Sequence, residues 1–282
     1  VPYTTLIDVP HLARLDSTPG VVLVDCRFDL ADPMAGRRAW LAGHIPGAGF
    51  ADLALDLSAP PGPASGRHPL PDPTRLAARL GELGIGNDSQ VIAYDQSNGA
   101  FAARLWWLLR WLGHGSVAVL DGGFAAWCAS GGAVQSGVAA VQPRRFTAAG
   151  PQLATADSAA VAAAAARGDR LIVDARAPER FSGQVEPIDP VAGHVPGAVN
   201  APFTGNLEPD GRFLPQARLH QRWSALLGQV APRNTIAMCG SGVTACHNLL
   251  ALEVAGLGGA QLYPGSWSEW IRDPARPVAR GP

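Results

Sequence analysis

The chain has 282 residues, 47% of them hydrophobic and 16% charged, with a formal net charge of -1. That is enough apolar sequence to bury one large core or two ordinary ones, while the absence of a polybasic segment or a single-sign field gives no nucleic-acid or membrane partner. All 22 basic residues are arginine, a bias that, with abundant Ala, Gly and Pro, points to a GC-rich bacterial genome and excludes Schiff-base or P-loop lysine chemistry.

The four cysteines, Cys26, Cys128, Cys239 and Cys246, form no CxxC pair and no zinc-ligand spacing. Four in a chain of this length do not make a disulfide framework, so reduced thiols and a cytoplasmic location are expected, with no metal and no cofactor implied. No apolar stretch is long enough to cross a bilayer, and no basic region followed by an apolar one opens the chain.

In chain order, the predicted elements begin with a strand over 21–24, followed by the turn Gly43-His44-Ile45-Pro46-Gly47-Ala48. A strand over 91–94 and a helix from about 100 to 112 come next, the helix carrying Trp106, Trp107 and Trp111 with Arg104 and Arg110, a pattern that reads as packing against a core or interdomain face. A strand over 118–120 leads to Gly122-Gly123-Phe124-Ala125-Ala126-Trp127. Residues 136–152, rich in Ala, Gly and Pro with Arg144 and Arg145 exposed, read as a linker. The order then repeats: a strand over 171–173, the turn Gly193-His194-Val195-Pro196-Gly197-Ala198, a strand over 235–238, a helix over 243–255 closed by Gly256, a strand over 261–263, and Gly265-Ser266-Trp267-Ser268-Glu269-Trp270.

The two histidine turns lie 150 positions apart (194 minus 44), and Val24-Asp25-Cys26-Arg27 matches Val173-Asp174-Ala175-Arg176 at nearly the same offset. Two homologous domains follow, residues 1–135 and 153–282. Short β-branched runs alternating with helical ones give each an α/β fold, a parallel sheet with helices on both faces.

The repeat is also an internal control. After the strand over 235–238 comes Cys239-Gly240-Ser241-Gly242-Val243-Thr244, leading into a helix; after the strand over 91–94 comes Asp95. A cysteine between a strand end and a helix N-terminus sits where loop amides and the helix dipole favour the thiolate, so Cys239 is the candidate nucleophile. The first domain is then catalytically silent. By the same logic His44 and His194, present in both halves, are structural, each tying the turn before Pro46 or Pro196 to nearby backbone. Cys26, Cys128 and Cys246 read as small buried apolar residues.

These residues resemble the tandem-domain rhodanese superfamily: VDxR after the first strand, GHxPGA, one cysteine loop in the second half only, and the closing GSWSEW. Within it, the loop at Cys239 is similar to that of the 3-mercaptopyruvate sulfurtransferases, because Gly240 and Ser241 stand where animal thiosulfate enzymes carry basic residues. The resemblance implies a sulfurtransferase that forms a Cys239 persulfide, cradled by Gly240, Gly242, Val243 and Thr244. It implies a donor-binding arginine at Arg180, with a planar fork suited to a carboxylate. A second arginine common in that branch is missing from Gln184-Val185-Glu186-Pro187-Ile188-Asp189-Pro190. It further implies that Asp52 and His68 join Ser241 in moving a proton. The expected partners are a small-molecule sulfur donor and an acceptor, either cyanide or a thiol such as thioredoxin.

Three other readings stay open on the residues. Thiosulfate is the alternative donor. A non-catalytic persulfide carrier or binding module keeps the same loop. A cysteine phosphatase or arsenate reductase needs an arginine six positions after the nucleophile, where this chain has Ala245.

Overall fold

The computed structural model describes residues 2–15 and 18–281; Val1 and Pro282, the ends of the segments read from sequence, lie outside them. The chain divides into two units. Unit 1 is Val1–Ala59, Leu70–Gln152 and Glu208–Phe213; unit 2 is Pro60–Pro69, Leu153–Leu207 and Leu214–Pro282.

In unit 1 the β-branched runs become an all-parallel sheet of β1 (Leu6–Ile7), β2 (Val21–Asp25), β3 (Gly49–Phe50), β4 (Gln90–Tyr94) and β5 (Val117–Leu120), in the order β1-β5-β4-β2-β3. The central pair is in register from Val21 opposite Gln90 to Asp25 opposite Tyr94. The connections include α1 (Val9–Leu15), α2 (Ala35–Ala42), α3 (Pro73–Glu82), α4 (Ala102–Trp111) and α5 (Gly123–Ala129). Trp106, Trp107 and Trp111 are buried on α4, the last two stacked at 5.9 Å, so these aromatics build core. Residues 136–152, read as a linker, belong to unit 1: Arg144 N–H donates to Gly81 O and Gln152 N–H to Trp111 O.

Unit 2 repeats the plan with α6 (Ser158–Arg167), β6 (Leu171–Asp174), α7 (Pro178–Phe181), β7 (Val199–Asn200), α8 (Gln216–Leu227), β8 (Thr235–Met238), α9 (Thr244–Val254), β9 (Gln261–Leu262) and α10 (Ser266–Trp270). Its sheet is parallel in the order β7-β6-β8-β9, and a parallel bridge from Thr155 to Leu262 stands where β1 stands in unit 1. Each unit is thus an α/β fold with helices on both faces of a parallel sheet.

The shared motifs have matching structural jobs. Arg27 pairs with Asp25 and donates to Gly43 O at 2.6 Å; Arg176 pairs with Asp174 and donates to Gly193 O at 2.8 Å. Each buried arginine therefore clamps the strand end to the glycine of its histidine turn, with its charge offset by the adjacent aspartate. His44 Nδ1 donates to Trp40 O and His194 Nδ1 to Phe181 O, both at 2.8 Å, which is the structural role expected of them.

Cys26 and Cys246 are buried, but Cys128 is exposed. The reason lies in helix geometry: α5 buries Gly123 and Trp127, one turn apart, and Cys128 falls about 100° round from that face. No helix among the described residues is long and apolar enough to cross a membrane.

Candidate active site

The apolar strand β8, buried along its length, ends at Met238, and the next residue is Cys239, itself only 2% exposed. The loop turns at once. Gly242 adopts φ +77°, and a Cβ there would lie 2.3 Å from Pro264 O, so only glycine fits. The tight turn brings Gly242 N–H to Cys239 Sγ, to which it donates at 3.1 Å. Cys246, on the first turn of α9, donates its thiol to Gly242 O at 3.3 Å and so holds the next peptide, between Gly242 and Val243.

The loop carbonyls face the other way. Trp267 N–H donates to Cys239 O at 3.0 Å and Ser268 N–H to Gly240 O at 2.9 Å. In a planar peptide the carbonyl and the following N–H point in opposite directions, so fixing those carbonyls sends the Gly240 and Ser241 amides to the opposite side of the loop. Val243 and Thr244 stand at the junction with α9.

Ser241 is buried, and its Oγ lies 2.8 Å from His68 Nδ1. His68 reaches it from the segment Pro60–Pro69, which packs in unit 2 although it is encoded in the first half. Asp52 belongs to unit 1, where its carboxylate accepts N–H bonds from Ala54 at 2.8 Å and Leu55 at 3.0 Å and closes a turn.

Arg180 is held by two carboxylates. Its Nη2 donates to Glu186 Oε1 at 2.8 Å and to Asp189 Oδ2 at 3.0 Å, and its Nε to Glu186 Oε1 at 3.0 Å. Burial raises the Glu186 pKa, but hydrogen bonds from Arg180 and from the Asp189 and Ile188 amides outweigh it and hold that carboxyl below the ordinary glutamate range. Asp189 also pairs with Arg67. A Cβ placed on Gly240 would sit 3.1 Å from Arg67 Nη2 and 3.6 Å from both terminal nitrogens of Arg180. Two guanidinium groups therefore converge over the Cys239 loop. Arg67 Nε is buried and has no hydrogen-bond partner among the described residues.

Within unit 2 the structure thus gathers Cys239, Gly240, Ser241, Gly242, Val243, Thr244, His68 and Arg180. Arg67 was not singled out from sequence. The signal was its place next to His68, in a segment whose membership of unit 2 only the three-dimensional fold reveals.

A Rhodanese-like domain family model matches residues 9–130 and 157–273. The "Probable 3-mercaptopyruvate sulfurtransferase" of Pseudomonas aeruginosa is 53% identical over 278 residues, covering 98% of each chain. A Mycobacterium tuberculosis protein carrying a thiosulfate sulfurtransferase name, SseB, is 42% identical over 281 residues, 98% of this chain and 97% of that one. Among solved structures, the 3-mercaptopyruvate sulfotransferase SseA from Escherichia coli superposes with a TM-score of 0.80 at 32% identity, covering 94% of this chain and 100% of that chain. With the sheet order, the paired motifs and the cysteine loop in place, these likenesses close the question of kinship: the chain belongs to the rhodanese-like family, with two such domains in tandem and sulfurtransferases as its full-length relatives.

Proposed function

We propose that this protein transfers a sulfane sulfur from 3-mercaptopyruvate to a thiol or cyanide acceptor through a persulfide on Cys239. The observation that carries the reading is the convergence of Arg67 and Arg180 over Gly240, one residue from a buried sulfur that already accepts an amide N–H. A carboxylate needs planar, paired donors, and an α-keto acid with a terminal thiol places its sulfur a few atoms from that carboxylate.

In the first step the Cys239 thiolate attacks the donor sulfur. A new S–S bond forms and the donor C–S bond breaks, its electron pair leaving on carbon as the enolate of pyruvate. The thiol proton of the donor and the proton taken up by the enolate balance, and the His68–Ser241 pair lies beside the loop to move it. Asp52 is assigned to the same relay on family resemblance. The persulfide charge rests in the amides of Gly240 to Thr244. In the second step an acceptor thiolate, small or on a protein such as thioredoxin, or cyanide, attacks the outer sulfur and returns Cys239 as thiolate.

Thiosulfate is the second reading, favoured by the name of the Mycobacterium tuberculosis relative. The charge around the loop argues for the monoanion instead: Gly240 and Ser241 are neutral, and Asp189 and Glu186 offset Arg67 and Arg180.

Incubation with donor followed by mass measurement tests the proposal. The peptide containing Cys239 is expected to gain one sulfur atom from 3-mercaptopyruvate, and Cys239→Ser to gain none. No gain from either 3-mercaptopyruvate or thiosulfate would sink it; a higher kcat/KM for thiosulfate would overturn the donor alone. Multiple turnovers with a defined acceptor separate an enzyme from a carrier, which stalls after one sulfur.

A further inference from the structure

Ser266 is the one non-glycine residue with a left-handed backbone among the described residues, at φ +53°, and it is fully buried. L-residues avoid this region because Cβ crowds the following carbonyl, a cost that glycine does not carry. The matching position in unit 1 is Gly123, at φ +58°. Although the residue before it differs, Gly122 at φ +82° against Gly265 at φ -65°, the left-handed position itself is therefore shared, held by the residue suited to it in unit 1 and by a strained serine in unit 2.

The serine side chain accounts for the difference. Its Oγ accepts the Cys239 N–H at 3.1 Å and donates to Tyr263 O at 2.8 Å. The next residue, Trp267, holds Cys239 O. The peptide before Cys239 and the peptide after it are thus both tied to adjacent residues of α10, which fixes φ and ψ of Cys239 and with them the direction of its Cα–Cβ bond. In unit 1 only the second tie exists: Phe124 N–H donates to Asp95 O at 2.9 Å, while Gly123 has no side chain to offer. A Cβ on Gly123 would also lie 2.5 Å from Asp95 O, so unit 1 has no room for the device.

We propose that Ser266 is a positioning residue for the nucleophile: its hydroxyl, held in a strained backbone, anchors the Cys239 amide and aims the sulfur into the loop amides. The inference rests on the reading of Cys239 as the sulfur-carrying nucleophile. Strain kept where glycine would relieve it is a known mark of functional sites.

Ser266→Ala and Ser266→Gly test it together, because both remove the hydroxyl and only glycine relieves the backbone. Under single turnover with 3-mercaptopyruvate, the rate of sulfur uptake on Cys239, followed by mass, is expected to fall roughly tenfold or more in both, as loss of one well-placed hydrogen bond would give. The donor KM stays near that of the wild type. The thermal midpoint of the glycine variant is expected to lie above that of the alanine variant, so activity follows the hydroxyl while stability follows the backbone. Wild-type uptake in either variant, recovery of rate in Ser266→Gly in step with its midpoint, or failure of both to fold would overturn the positioning role. Absence of sulfur on Cys239 in the wild type would instead remove the underlying reading.

Discussion

The Cys239 loop of unit 2 and the Asp95 loop of unit 1 are built on one scaffold and hold opposite occupants. Both follow a buried central strand, and both have their first two carbonyls held by consecutive amides: Phe124 and Ala125 bind Asp95 O and Gln96 O, Trp267 and Ser268 bind Cys239 O and Gly240 O. In unit 1 the inward amides are filled by the chain itself. Asp95 Oδ1 accepts N–H bonds from Ser97 at 3.2 Å and Gly99 at 2.9 Å, and its Oδ2 from Phe101 at 2.9 Å and Ala102 at 3.1 Å. In unit 2 the same kind of turn presents its amide to a sulfur. The comparison teaches that the loop is built as an anion cradle: in unit 1 a carboxylate of the chain itself fills it, and under the proposed function the outer sulfur of a Cys239 persulfide would fill it in unit 2.

The sharpest way to break the comparison is to give unit 2 the occupant of unit 1. Cys239→Asp is expected to abolish sulfur uptake completely, with no persulfide detected by mass and no turnover with either donor. The next effect is on stability. Asp95→Ala strands four amides around a buried position, and at about 1 to 3 kcal/mol for each unsatisfied group, partly recovered by relaxation, a net loss of roughly 3 kcal/mol is expected in urea unfolding. Asp95→Asn keeps one acceptor oxygen and should lose less. Equal losses in the two variants would show that the cradle does not depend on a carboxylate.

The Asp95 to Cys239 contrast was legible in sequence because it needs only a strand, a repeat and one changed residue. The fold was legible for a related reason: buried parallel strands write themselves as β-branched runs, and 235–238 is the strand observed as Thr235–Met238. Of the two-residue strands, β9 was read, as 261–263, because the repeat marked its place after the 243–255 helix; β1, β3 and β7 were not, since so short a run has no period of its own to detect. Nor was the exchange of Pro60–Pro69 into unit 2, because nothing local in Pro-Gly-Pro-Ala-Ser-Gly marks which core it joins. That exchange hid Arg67, whose guanidinium lies beside Arg180 at Gly240 and which the proposed function takes as the second arginine. Ser266 was visible only as part of a closing motif; its backbone angle has no sequence signature beyond the glycine at the twin position.

Charge around the two arginines gives effects of about tenfold. Arg67→Met is expected to raise KM for 3-mercaptopyruvate roughly tenfold with kcat little changed, as removal of one arm of a paired carboxylate site would do. An unchanged KM would leave Arg180 as the sole recognition group. Asp189→Asn removes one of the two acids that offset Arg67 and Arg180. Added net positive charge favours the dianion more than the monoanion, so the kcat/KM ratio of thiosulfate to 3-mercaptopyruvate should rise, by an order of magnitude at most given solvent screening at the partly exposed Arg67.

The smallest effect concerns pH and separates the two units by what holds their anions. Glu186 has a folded-state pKa held below the ordinary glutamate value by Arg180 and nearby amides, in spite of burial. A depressed carboxyl contributes stability that is fully present above its unfolded pKa, near 4.3, and is lost as pH falls through the lower folded value. Wild-type protein should therefore lose an increment of unit 2 stability below about pH 4 that Glu186→Gln lacks, read as a difference in slope between their acid-unfolding curves. Because Glu186 and Asp189 share Arg180, protonating Glu186 also leaves Arg180 with one partner. Identical slopes for the two proteins would mean that Arg180 is positioned by Asp189 alone, and would move the weight of donor recognition onto the Arg67–Asp189–Arg180 bridge.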